Sequence, residues 1–206
     1  MHGETIDWVV VNTVFNGKNY PTGTRHGGRT VGEYLQYEFE DDFLKEQPTF
    51  ERVLDIGSLD INGTMRHYSF LLGEALPQWR DIVGCEEYVG IDLIEGPSVD
   101  IVMNANKNTL PENSFDLVIS ISQLEHDKNP VETLKGAYKV LKPGGTFVLA
   151  CPTDETDEHK FLGGGDTETH NVITRELLHG WLNEAGFTKL RKFITTHTDH
   201  LVNATK

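Results

Sequence analysis

The residues of this chain best placed to do chemistry are carboxylates and glycines gathered at the ends of apolar runs. Val53-Leu54-Asp55-Ile56 reads as a buried strand that runs into Gly57-Ser58-Leu59-Asp60-Ile61-Asn62-Gly63. The glycines of such a turn permit a sharp reversal or a close approach of backbone to a ligand. At the carboxyl end of a parallel strand it offers backbone N–H groups and a helix start to a polar ligand. A dinucleotide fingerprint reads GxGxxG, whereas Leu59 and Ile61 stand where further glycines are expected, so an ordinary strand-to-helix turn is the competing reading. A second acid, Asp92, closes the apolar run Tyr88-Val89-Gly90-Ile91. In nucleotide-binding βαβ units an acid there accepts hydrogen bonds from ribose hydroxyls, about 20 residues beyond the glycine-rich turn. Here it lies 29 residues beyond Gly63, with the loop between Pro77 and Gly84 to absorb the excess; a solvated strand-end acid is the alternative.

His126 is the candidate general base, because it follows the apolar strand Phe115–Ile121 on the carboxyl-end side and imidazole titrates near neutral pH. The alternative is a histidine that satisfies loop backbone. His159 and His170 flank Gly163-Gly164-Gly165, with Asp154, Glu155, Asp157, Glu158 and Asp166 nearby. Imidazole and carboxylate together ligate metals, but no spacing here matches a known ligand pattern, and no metal is expected. Arg25, His26 and Arg29 either contact an anionic ligand or are exposed loop residues. The acidic run Glu38, Glu40, Asp41 and Asp42 reads as the solvated face of a helix, and Trp8, Trp79 and Trp181 read as packing residues.

Strands alternating with helices must position these groups. Trp8-Val9-Val10-Val11 reads as a short strand or extended arm followed by loop, with residues 1–30 an N-terminal arm or cap. Helical spacing of Val31, Tyr34 and Leu35 predicts a leading amphipathic helix, and Met65 to Leu76 a second that packs on the sheet. Val99 to Met103, Phe115 to Ile121 and Thr146 to Ala150 continue the strands. Asn129 as N-cap with Pro130 at the first helical position starts a helix to Val140, and Lys142-Pro143-Gly144-Gly145 reads as a breaker. Residues 152–171 form a long polar loop, read as a lid. Thr174 caps a helix whose apolar face is Leu177, Leu178, Trp181, Leu182 and Ala185, closed by Gly186; Phe187 to Val202 supplies one or two further strands. The pattern predicts an α/β fold with a largely parallel sheet and helices on both faces, in one domain over residues 1–206.

Composition narrows the partners. Lys and Arg number 18 against 32 Asp and Glu, a net charge of −14. That field repels phosphate backbones, so nucleic acid is not an expected partner. No apolar run is long enough to span a bilayer, and no signal-peptide core is present in the sequence, so no membrane partner is expected. Two cysteines, Cys85 and Cys151, are expected as free thiols in a soluble, cytoplasmic protein.

The run FDLVISISQLEHDKNPVETLKGAYKVLKPGGTFVLACP, with VLDIGSLDING and YVGIDL before it and LLHGWLNEAGF after it, resembles the class I methyltransferases that use S-adenosylmethionine, in particular the type 11 or ubiquinone-type members. The resemblance covers about residues 50 to 190. It implies a Rossmann-like, seven-stranded, mostly parallel sheet whose last two strands form an antiparallel hairpin. It also implies S-adenosylmethionine as cofactor. Asp55 and the backbone around Gly57 and Ser58 would hold the methionine end, Asp92 the ribose hydroxyls, and Leu93 the adenine face. Asn104 and Ala105 stand where the family has an acid and a small residue contacting the adenine amino group, and Ser120 or Ile121 would line the floor beneath the sulfonium. Glu125 and His126 match a cation-binding segment of the ubiquinone-type O-methyltransferases, but Ser122 replaces an acid there. The implied activity is transfer of a methyl group to oxygen or nitrogen of a small molecule. A cofactor-binding regulatory protein that has lost the chemistry is the alternative, and an NAD-dependent oxidoreductase shares the fold but not the LKPGG and EAGF segments.

Overall fold

The computed structural model describes residues 11–15, 18–22, 49–59, 80, 83–155, 170–195 and 199–206. The leading helix, the Met65 to Leu76 helix, Arg25, His26, Arg29, the acidic run, Trp8, Trp79, His159 and the glycines of the 152–171 loop lie outside the described residues.

Two strands, β1 (Val11–Phe15) and β2 (Lys18–Thr22), pair antiparallel with Val11 opposite Thr22 and Phe15 opposite Lys18. The second falls where the sequence predicts loop. The two residues between them in the sequence are Asn16-Gly17, the pair that two-residue hairpin connections favour, and that signal outweighs the polar composition of β2.

The main sheet contains β3 (Phe50–Ile56), β4 (Cys85–Asp92), β5 (Ile101–Val102), β6 (Phe115–Ile121), β7 (Leu141–Pro152), β8 (Lys189–Thr195) and β9 (Asp199–Thr205). Their order across the sheet is β5-β4-β3-β6-β7-β9-β8. The pairs from β5 to β7 are parallel, and β9 runs antiparallel to both β7 and β8. After β3 the chain first goes to one side, to β4 and β5, and then returns to the other side at β6. The carboxyl ends of β3 and β6 therefore flank the point where the strand order reverses, the crevice in which open α/β sheets bind ligands.

Alternation along the strands divides the core between two faces. Leu54 and Ile56 of β3, Phe115 and Val118 of β6, and Phe147, Leu149 and Cys151 of β7 share one cluster. Val53, Leu117, Ile119 and Val148 share another. Strands buried on both faces need near-continuous apolar runs, and FDLVISI and TFVLAC supply them. The first cluster is completed by helices α1 (Pro130–Val140) and α2 (Arg175–Ala185), through Leu134, Ala137, Val140, Leu178, Leu182 and Ala185. Phe187 stacks on Phe147 with ring centroids 4.6 Å apart and meets Tyr138 edge-on at 5.1 Å.

Local details depart from the sequence expectations in four places. Leu177 is 40% exposed and does not belong to the buried face of α2, which is narrower than the pattern implies. The strand expected over Val99–Met103 is only Ile101–Val102; just before it Asp100 donates its N–H to Gly90 O at 2.8 Å, while its side chain, in place of a backbone carbonyl, accepts Gly90 N–H at 2.7 Å. Asn129 occupies the cap position of α1 but its side chain makes no cap bond; its own N–H is instead held by Asp127 Oδ1 at 2.8 Å. The Lys142–Gly145 segment ends α1 yet opens β7. Leu141 pairs with Phe115 and the next pairing is Thr146 with Leu117, so the four residues between form a bulge, with Gly144 at φ +81°.

Candidate functional site

Four segments converge at the carboxyl ends of β3, β4, β5 and β6. Asp55, one residue from the end of β3, is buried, and Tyr88 Oη donates to its Oδ2 at 2.8 Å. Burial, the largest cause, raises the Asp55 carboxyl to about 6, assisted by the nearby charge of Asp92 and opposed by the Tyr88 hydrogen bond. The Tyr88 hydroxyl is in turn pushed well above its ordinary range by burial and by the Asp55 charge.

Gly57 follows with φ +80°, a conformation that L side chains rarely adopt. The space a Cβ would take there is filled by Gln123, whose Cγ would lie 2.8 Å from it. The N–H groups of Gly57 and Ser58 do not point into the crevice: both donate to Ile91 O, at 2.9 and 3.1 Å, prolonging the β3–β4 ladder. Ser58 Oγ, by contrast, is buried and has no hydrogen-bond partner among the described residues. Such an orphaned hydroxyl costs free energy until a ligand or water meets it.

Asp92 ends β4 and organises the loops around it. Its Oδ1 accepts from Leu93 N–H at 2.6 Å and Ile94 N–H at 3.4 Å, and its Oδ2 accepts from Leu59 N–H at 3.1 Å. Each carboxylate oxygen has about two acceptor positions, so Oδ2 retains room for one hydroxyl. Beside it Leu93 and Ile94 are 66% and 44% exposed, apolar surface held at the mouth of the crevice. Gly90 is required upstream, since a Cβ there would come within 2.1 Å of Ser98 O.

Asn104 caps a one-turn 3₁₀ helix, Ala105–Lys107, through Oδ1 and Asn106 N–H at 2.9 Å. Ser120, buried at the end of β6, donates to Gln123 Oε1 at 3.4 Å. Ser122 turns the chain at φ +49° into a second 3₁₀ helix, Leu124–His126. His126 thus lies on the carboxyl-end side of β6 as its sequence position implies. Its Nε2 is 3.9 Å from Glu125 Oε1, and its ring meets that of His170 edge-on with centroids 6.0 Å apart. Asn171 pins this segment, donating through Nδ2 to Leu124 O at 2.8 Å and Asp127 O at 2.6 Å, while its N–H donates to Glu125 O at 2.7 Å.

Asp127, Gln123, Asn106 and Tyr88 are the site-region residues that sequence reasoning misses. Only Asp127 carries a readable signal, as an acid just before a Pro-started helix, where free N–H groups need an acceptor. Among the described residues no group of three or more His, Cys, Asp or Glu is arranged to hold a metal ion. No described helix is long and apolar enough to cross a membrane, and both cysteines are free thiols, Cys151 buried and Cys85 half-buried.

The sheet order, its antiparallel end strands and the acids at the switch point define a Rossmann-like methyltransferase fold. In sequence the chain is similar to S-adenosylmethionine-dependent methyltransferases. A family model described as a methyltransferase domain matches residues 72–149. A protein from Mycolicibacterium smegmatis described as a probable S-adenosylmethionine-dependent methyltransferase is 34% identical over 137 residues, which are 52% of this chain and 52% of that protein. A tRNA U34 carboxymethyltransferase from Syntrophotalea carbinolica is 29% identical over 154 residues, 68% of this chain and 45% of that protein. The chain therefore spans about half the length of these relatives. Among solved structures, an S-adenosylmethionine-dependent methyltransferase from Mesorhizobium loti superposes with a TM-score of 0.60 at 17% identity, over 83% of this chain and 97% of that one, a likeness of fold.

Proposed function

We propose that this chain is an S-adenosylmethionine-dependent methyltransferase that methylates an oxygen or nitrogen of a small molecule. The observation that carries the reading is the pairing of two acids at the carboxyl ends of the neighbouring strands β3 and β4, with an exposed apolar patch directly after the second. Asp55 is a buried carboxylate whose ionised form waits for a cation; Asp92 Oδ2 keeps an acceptor position for a ribose hydroxyl; Leu93 and Ile94 offer a face for adenine. Asn104 Oδ1 keeps a second lone pair for the adenine amino group, Ala105 follows it without bulk, and the Ser58 hydroxyl has no partner among the described residues. The backbone at Gly57 contributes by bending away under Gln123 rather than by donating N–H groups.

S-adenosylmethionine supplies a methyl carbon on sulfonium for in-line displacement by an acceptor lone pair, with a neutral thioether leaving. What the protein adds is alignment and exclusion of water, and a base only when the acceptor carries a proton. His126 is our candidate for taking that proton, its segment held by the Asn171 contacts on either side of it. The net charge of −14 favours a small acceptor over the polyanion named for the tRNA relative.

Isothermal titration with S-adenosylhomocysteine tests the cofactor reading, and micromolar binding is the expected result; no detectable heat or thermal shift would remove it. Incubation with methyl-labelled S-adenosylmethionine and bulk tRNA tests the acceptor class. Label in tRNA would replace the small molecule with nucleic acid.

A further inference from the structure

The buried carboxylate of Asp127 receives four hydrogen bonds from three parts of the chain: the turn holding Asn106, the loop holding Gln123, and the start of α1 with its cap residue Asn129 and Thr133. Asn106 Nδ2 and Asn129 N–H donate to Oδ1 at 2.7 and 2.8 Å. Gln123 Nε2 and Thr133 Oγ1 donate to Oδ2 at 3.0 and 2.6 Å. Asp127 is 4% exposed and Thr133 1%. Two of the donors belong to opposite halves of the crevice. Asn106 sits in the 3₁₀ turn that Asn104 caps, on the Asp92 side. Gln123 rests its stem on Gly57 and takes the Ser120 hydroxyl on its Oε1, on the Asp55 side. The amide of Gln123 is therefore oriented by Asp127 at one end and Ser120 at the other, and charge-assisted bonds of this kind are shorter and stronger than neutral ones.

We propose that Asp127 is a positioning residue that holds the adenosine side and the methionine side of the crevice in register, so that a ligand spanning both meets a preformed site. The inference rests on the cofactor reading above. Asp127 touches neither strand-end acid, and it acts through Asn106 and Gln123. If the two halves are free to shift, only a fraction of molecules offers both at the right separation, and the apparent affinity of a spanning ligand falls by that fraction. A ligand that uses one half alone is spared.

The test compares S-adenosylhomocysteine, which spans both halves, with adenosine, which uses one, by isothermal titration to wild type and variants. Asp127→Ala is expected to weaken S-adenosylhomocysteine at least tenfold and adenosine less than threefold. Asp127→Asn is expected to recover most of the loss, because its Oδ1 still accepts two bonds and the neighbouring amides can turn to meet its Nδ2. Should Asp127→Ala not fold, Asn106→Ala cuts only the adenosine-side tie and leaves Asp127 its other three donors; the same disparity between ligands is expected. Equal losses for both ligands, or none, overturn the positioning role while leaving the cofactor reading intact. Absence of S-adenosylhomocysteine binding by wild type overturns both.

Discussion

Replacing Asp55 by Asn should make the protein more stable above neutral pH, although it removes a residue assigned to ligand binding. Burial raises the Asp55 carboxyl from 3.8 to about 6, so between these values the folded state holds a proton that the unfolded state has released. Stability then falls as pH rises through that window, because the slope follows the difference in bound protons, unfolded minus folded, which is negative here. At about 1.4 kcal/mol per pH unit the window amounts to about 3 kcal/mol, fully lost above the folded-state value of about 6. The amide introduced by Asp55→Asn would be neutral at every pH, and its carbonyl would still accept the Tyr88 hydroxyl. Urea unfolding of wild type and Asp55→Asn at intervals from pH 4 to pH 8 isolates the effect, since other titrating groups contribute nearly alike to both. The stability difference should be close to zero near pH 4, grow in favour of the variant through pH 5 and 6, and level off at about 2–3 kcal/mol by pH 7.5. A difference that does not change with pH, or a wild type more stable at pH 8, would refute the account of Asp55 as a carboxylate held against its own burial. The same variant should lose affinity for S-adenosylhomocysteine, a trade of function against stability familiar at binding sites.

Asp92→Ala should weaken S-adenosylhomocysteine by about 1–3 kcal/mol in titration, since it strips a ligand acceptor and leaves three backbone N–H groups, those of Leu59, Leu93 and Ile94, without theirs. Gly90→Ala should be the most damaging single methyl in the sheet: its Cβ would sit 2.1 Å from a backbone carbonyl that has no rotamer to escape into, and loss of soluble expression or of cooperative unfolding is the expected readout. Thr174→Ala removes the hydroxyl that accepts Leu177 N–H at 3.2 Å and should cost about 1 kcal/mol in urea unfolding, without altering affinity for S-adenosylhomocysteine.

The sheet was legible because strands buried on both faces are written as unbroken apolar runs, and VLDI, FDLVISI and TFVLAC each stand out from polar neighbours. Helix ends were legible where the signal is local: Thr174 and Gly186 cap α2 as their types imply, the latter at φ +110°. Of the candidate site, the sequence reveals positions but not partners. Asp55 and Asp92 announce themselves at strand ends, but nothing local reveals that Asp92 is already engaged by three N–H groups or that Gly57 and Ser58 donate to Ile91. Asp127 escaped for a related reason. Its partners Asn106 and Gln123 lie 21 and 4 residues away on separate loops, and a hydrogen-bond network closed by tertiary packing leaves no periodic trace. Leu59, read as a missing glycine, shows the reverse error: its Cδ1 occupies the space that Gly96 leaves open, so a side chain fills what a second loop concedes.

The sheet order also dictates a schedule for synthesis. β8 is translated before β9, yet within the sheet its hydrogen-bonded neighbour is β9 alone, and β9 is the strand that wedges between it and β7. On the ribosome, β3 to β7 can therefore assemble the ligand crevice while β8 waits without a ladder and β7 shows a bare outer edge of unpaired N–H and C=O groups. Emergence of residues 199–205 closes both at once. A chain stalled or cleaved just before them would keep the crevice strands beside an open strand edge, the kind of surface on which other chains nucleate.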